Sequence, residues 1–191
     1  MNKALIAFAT IGAGTFNMTA QADIVDSVRL GVMDHNVKVL TPKNANKEDG
    51  FNLSADVRFS KWNLSSETWS PHPYLMASVN SEDRTSYIAV GLEWDFEFLE
   101  GWHFQPSFGY ALHSGKLESQ GATAQERAVF DSKHLLLGSR DLFRTSFAIT
   151  KDINETWALQ LIYDHLSHGQ ILGNGRNQGL DDVGVRVAYS F

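Results

Sequence analysis

Cysteine is absent from this chain, so a disulfide framework and a thiolate metal site are both excluded; the absence is compatible with export without establishing it. Beyond the first residues there is no run of about 18 apolar side chains, which excludes an α-helical membrane span. Basic excess is missing too: the formal net charge is −6, so a nucleic-acid partner would lack its usual electrostatic footprint. If this protein meets a membrane, strands must carry it there.

What is present begins with an export signal. Lys3 forms a short positive region, Ala4 to Thr15 a small-residue apolar one, and Ala20-Gln21-Ala22 fits an A-x-A cleavage site. Residues 1–22 are therefore expected to be a cleaved signal peptide and residues 23–191 a single β-barrel domain.

Alternation of apolar and polar residues dominates after residue 50. Phe51, Leu53, Ala55, Val57 and Phe59 oppose Asn52, Ser54, Asp56 and Arg58, while Ile88, Val90, Leu92, Trp94 and Phe96 oppose Ala89, Gly91, Glu93 and Asp95. Trp102 to His113 repeats the pattern, with Pro106 its one blemish, and Phe143 to Thr150 follows it more loosely. Strands near Val25 to Met33, Pro73 to Val79, Trp157 to Ser167 and Asp181 to Phe191 bring the total to eight, each about 9 to 12 residues, the length that crosses a bilayer at a tilt. Short polar turns (Lys61 to Ser65, Glu97 to Gly101, Asp152 to Glu155) alternate with longer polar excursions (His35 to Glu48, Ser114 to Lys133, His168 to Leu180). The expectation is an all-β, eight-stranded antiparallel transmembrane β-barrel of the outer membrane, with small polar and charged residues packed as a network in a narrow lumen. A soluble lipocalin-like barrel, apolar face inward, is the competing reading. The last strand favours the membrane: Val183, Val185, Val187, Tyr189 and Phe191 share one face, and the terminal aromatic looks like an outer-membrane insertion signal.

Side chains on a strand alternate faces, which places His165 and Ser167 in register with Trp157, Leu159, Leu161 and Tyr163 on the apolar face. Asp181 shares its face with Val183 and Val185, so all three polar residues are expected to point outward near one rim of the barrel. Ser, His and a carboxylate are the parts of an acyl-transfer triad, in which the base activates the hydroxyl and the carboxylate fixes the imidazole tautomer. By itself H-x-S is a weak pattern, and a belt of polar residues that hydrogen-bond lipid headgroups is the bland alternative. Asp182 could compete with Asp181 but has the wrong parity unless a bulge intervenes.

The run Tyr163-Asp-His165-Leu-Ser167-His168-Gly169, then Asn177-Gln-Gly-Leu-Asp181 and the closing aromatic strand, resembles the lipid A 3-O-deacylase (PagL) family of outer-membrane enzymes, whose signature is H-x-S-N-x-G, then N-x-G-x-E. The close match spans Tyr163 to Phe191. The resemblance implies an outer-membrane esterase that removes the ester-linked 3-position acyl chain of lipid A, with Ser167 as nucleophile, His165 as general base and Asp181 in the place of the family's glutamate. Asn177 and the Gly169 backbone N–H are implied as oxyanion or substrate-positioning groups, together with His168, which stands where the family has asparagine. No metal or organic cofactor is implied. The expected partner is lipopolysaccharide in the outer leaflet; a homodimer is left open.

Two other functions fit the same fold: a non-enzymatic structural or adhesive barrel of the OmpX kind, and a lipid A acyltransferase. His35, His72, His103, His113 and His134 fall at no ligand spacing. Trp94, Trp102 and Trp157 read as an interfacial girdle, Arg140 and Arg144 as partners for lumen acids such as Asp56 or Glu93, and Lys116, Arg127 and Lys133 as a solvated loop.

Overall fold

A computed structural model describes residues 24–39, 44, 47–64 and 69–191; the expected signal peptide and its cleavage site lie outside these. The strands are β1 (Val25–Asp34), β2 (Phe51–Phe59), β3 (His72–Asn80), β4 (Tyr87–Glu93), β5 (Phe96–Leu99), β6 (Trp102–His113), β7 (Asp141–Asp152), β8 (Trp157–Ser167) and β9 (Leu180–Ser190), with one helix, α1 (Ala124–Asp131), between β6 and β7. Both β4 and β5 pair with β6, from Tyr87↔His113 to Leu99↔Trp102, so they are two pieces of one stave. Every stave runs antiparallel to the next, and β1 pairs with β9 from Ser27↔Ser190 to Asp34↔Val183, which closes an eight-stranded antiparallel barrel.

Pro106 explains the break in the fourth stave. Its carbonyl accepts the Trp94 N–H at 2.9 Å, so its missing donor faces the same neighbour, opposite the interruption at Trp94 and Asp95. Proline inside a sheet is tolerated where the ladder already lapses.

Strand parity sorts the side chains. Leu30, Val32, Leu53, Leu75, Val79, Ile88, Val90, Phe108, Leu112, Phe147, Leu161, Val185 and Val187 are all exposed on the outside. An apolar surface of that extent encircling a barrel is what lipid solvates and water does not. No helix among the described residues is long and apolar enough to cross a membrane.

The interior is polar along its length, with an apolar cluster added at the loop end. Arg29 donates to Asp56 at 2.5 and 2.9 Å and to Glu93 at 2.7 and 2.9 Å, while Arg186 donates to Asp56 at 3.0 Å and to Gln160 at 2.7 Å. Arg29 lies directly opposite Asp56 in the β1–β2 register. Asp56 and Glu93 are thus held by Arg29, not by Arg140 or Arg144 as the sequence suggested. Arg144 instead grips Asp164 at 2.6 Å and lies over the Tyr74 ring, 5.1 Å from its centroid; Arg140 donates to the His113 carbonyl at 2.7 Å.

The long loops lie together at that end. There an apolar cluster sits beside the polar network: Leu135 and Leu137, both fully buried, join Met76, Ala111, Leu142, Leu166 and Leu180, while Asn52 bridges Asn80 and Asp182 at 2.9 Å each and Tyr87 donates to Asp164 at 2.8 Å. The stretch Leu135 to Leu137 descends into the barrel mouth, its N–H groups donating to Glu48 Oε1 (3.1 Å), Gln178 Oε1 (2.7 Å) and the Lys116 carbonyl (2.9 Å). Ahead of it, the stretch read as a long polar excursion contains α1, opened by a capping box between Thr123 and Glu126.

The loop after β1 is pinned by a buried ion cluster. His35 Nε2 lies 3.1 Å from Glu48 Oε2, and its Nδ1 lies 3.2 Å from Asp182 Oδ1. Burial opposes the charged ring, but the hydrogen bonds and charges of Asp182 and Glu48 outweigh it and raise His35 to about 9. Glu48 is lowered: burial works against its charge, and hydrogen bonds from His35, Thr85 and Leu135 overcome it.

Candidate active site

The outward column of β8 ends, at the loop side, in Tyr163, His165 and Ser167. In the β8–β9 register His165 stands directly opposite Asp181, where Cβ atoms are about 5 Å apart. A short carboxylate suffices across that gap: Asp181 Oδ1 lies 2.6 Å from His165 Nδ1. The other ring nitrogen, Nε2, lies 3.2 Å from Ser167 Oγ. With a carboxylate at Nδ1, the proton belongs on that nitrogen, which leaves Nε2 to accept from the serine hydroxyl. The side chain of Asp181 is fully buried while that of His165 is 23% exposed, so the chain of contacts runs from a covered carboxylate to an accessible hydroxyl. The cover comes partly from the loop after β1, whose Val37 N–H donates to the Asp181 carbonyl at 2.7 Å.

Asp182 faces the other way. Its carboxylate accepts from Asn36 N–H at 3.1 Å and from Asn52 Nδ2 at 2.9 Å, besides its contact with His35. It is a lumen-side anchor for the first loop and does not approach His165.

The remaining sequence candidates lie in the β8–β9 loop. His168 is fully buried. Its Nδ1 accepts the Gln170 N–H at 3.1 Å, so its Nε2 carries the proton and donates to the Arg176 carbonyl at 3.0 Å. Both ring nitrogens are therefore spent on closing the loop and neither is turned to Ser167. Asn177 Oδ1 accepts the His168 N–H at 3.2 Å, which ties the two halves of the loop together. Gly169 starts the turn at φ +60°, where a Cβ would stand 3.3 Å from the Phe143 ring. Ser167 pairs with that same Phe143 on β7, so Gly169 packs against the residue opposite the serine, while Asn177 and His168 shape the turn that carries it.

One contact was not foreseen. The Tyr163 hydroxyl donates to Asp181 Oδ1 at 2.8 Å. In the sequence Tyr163 counted only as part of an apolar stripe; its place two residues before His165 on the same face was the available signal. Among the described residues no group of three or more His, Asp or Glu side chains is arranged to hold a metal ion.

Fold and exterior together define the class: a small closed antiparallel barrel with an apolar outer face. Family models and curated proteins yield no match. Among solved structures, the crystal structure of the outer-membrane enzyme PagL matches with a TM-score of 0.55 at 12% identity, over 87% of this chain and 99% of that one. The outer-membrane protein Ail of Yersinia pestis, a backbone structure in a phospholipid bilayer nanodisc, gives a TM-score of 0.46 at 12% identity, over 88% of this chain and 99% of that one. The chain has the fold of an outer-membrane β-barrel.

Proposed function

We propose that this protein is an outer-membrane esterase that hydrolyses the acyl chain ester-linked at the 3-position of lipid A. The observation that carries the reading is the contact chain Asp181–His165–Ser167, with distances of 2.6 and 3.2 Å, on the lipid-facing side of the barrel. Polar and ionisable groups on that surface are costly toward the midplane and less so near the interface; a carboxylate kept there against an imidazole calls for a use, and a nucleophile on the exterior meets lipid before anything else. The resemblance of Tyr163 to Phe191 to the lipid A 3-O-deacylase family points to the same substrate.

In this reading the loop end faces outward from the cell and Phe191 the periplasm. Ser167 Oγ attacks the ester carbonyl as His165 Nε2 takes its proton, and Asp181 stabilises the imidazolium that forms. The Gly169 N–H donates to the oxyanion, held in place by the turn that Asn177 and His168 close. Collapse of the tetrahedral species breaks the acyl C–O bond, His165 protonates the departing sugar hydroxyl, and the acyl group stays on Ser167. Water, deprotonated by His165, then attacks the acyl carbonyl; the acyl–Oγ bond breaks, His165 returns the proton to Ser167, and the 3-hydroxy fatty acid leaves. All groups come from one chain, so a second copy is not required.

Mass spectrometry of lipid A from cells with and without the protein tests this. The expected result is loss of one 3-hydroxyacyl chain, abolished to roughly one part in a thousand or less by Ser167→Ala or His165→Ala, with heat-modifiable barrels of both variants still in the outer membrane. Unchanged lipid A would favour a non-enzymatic structural or adhesive barrel, and added mass an acyltransferase.

A further inference from the structure

We infer that Tyr163 is a positioning residue whose hydroxyl holds the Asp181 carboxylate against His165. The inference rests on the esterase reading for its role in turnover, though not for its geometry. A carboxylate can rotate about its short side chain, so the donors that meet its oxygens decide where it aims. Here the same oxygen, Oδ1, receives the Tyr163 hydroxyl at 2.8 Å and faces His165 Nδ1 at 2.6 Å. Two donors converging on one oxygen fix where that oxygen sits. Tyr163 and His165 are two residues apart on one face of β8, and Asp181 pairs with His165 while Val183 pairs with Tyr163. The carboxylate is therefore bracketed from below by the phenol and met from the side by the imidazole.

The ring of Tyr163 has separate work. With Phe147, Leu161, Val183 and Val39 it lines an apolar groove of about 300 Å³ on the barrel exterior. Removing the hydroxyl while keeping the ring therefore separates aiming the carboxylate from walling the groove. Among the described residues, the groups facing His165 are Asp181 from β9, Tyr163 and Ser167 from β8, and Thr145, uncharged, from β7. A changed titration of the ring after Tyr163→Phe would thus report on Asp181.

The test compares full-length wild type with Tyr163→Phe in detergent, on lipid A as substrate. The expected outcome is a roughly tenfold lower kcat, the size of one lost hydrogen bond, with KM within about twofold because the groove wall remains. The pH profile of kcat should change as well, since the carboxylate that meets the imidazole is no longer held by the phenol. NMR titration of the His165 imidazole in the same two proteins reads the same change without turnover. Should the wild type release no fatty acid, the esterase reading fails while the imidazole titration still decides the role of Tyr163. Identical His165 titration in the two proteins would overturn the inference and leave Tyr163 as groove wall alone.

Discussion

His35 keeps its charge because Glu48 and Asp182 flank it in a site from which water is excluded. Its folded value, raised from 6.5 to about 9, sets the sign of a pH effect. The stabilisation is fully present below about 6.5 and is lost as pH rises through about 9. The first loop should accordingly become easier to cleave by protease between pH 7 and pH 10 in the wild type, whereas His35→Gln, which cannot ionise, should already be loosened at pH 7 and change little. A difference between the two proteins that stays constant across that range would show that the ring holds the loop by packing and not by charge. Glu48 acts at the opposite end of the scale: being lowered, its contribution stands above the ordinary carboxylate range and fades as pH falls through its folded value. The two were not legible as a pair in the sequence, because they lie 13 positions apart and no periodicity links them. His165, Ser167 and Asp181 were legible as a group, because strand parity alone sends all three to one side and a hairpin register brings the last opposite the first.

Among the elements, the β4–β6 pair is a tight seam. Gly91 and Gly109 face each other across it, and the Tyr74 hydroxyl occupies the space in front of both. A Cβ on Gly109 would collide with that hydroxyl and with the Val90 carbonyl, the latter backbone that cannot yield. Gly109→Val should cost at least about 1–3 kcal/mol, read as a lower urea midpoint for unfolding from lipid vesicles; an unchanged midpoint would mean the seam can open without loss. The strands themselves were readable from alternation, and even Pro106 was visible as a blemish, although its consequence, a stave split into β4 and β5, required knowing which neighbour its missing donor faced. Helix α1 escaped notice for a physical reason. It buries none of its residues, so it has no apolar stripe to betray it, and a capping box alone is a faint signal. Leu135 to Leu137 escaped for the reverse reason, since three adjacent apolar residues in a polar loop have no period at all.

At the scale of the whole molecule, the lumen joins staves that are far apart in sequence. Asp56 on β2 is shared by Arg29 on β1 and Arg186 on β9, so one carboxylate bridges two buried guanidinium groups. Asp56→Ala should destabilise the barrel by about 3–5 kcal/mol, because a buried charge stripped of its partner is far costlier than the pair was favourable. Heat-modifiability on a gel, with the folded band lost at lower temperature than in wild type, measures it, and an unaltered transition would show that Glu93 and Gln160 compensate. The seam that Asp56 and its partners brace is also the last that can form. Because Ser27 pairs with Ser190, the first stave waits through the synthesis of nearly the entire polypeptide for its second neighbour. Until that neighbour exists, one edge of β1 offers unpaired N–H and C=O groups to any passing strand, and contacts of such long sequence separation assemble slowly. The ring is therefore zipped shut only when its two most distant staves meet.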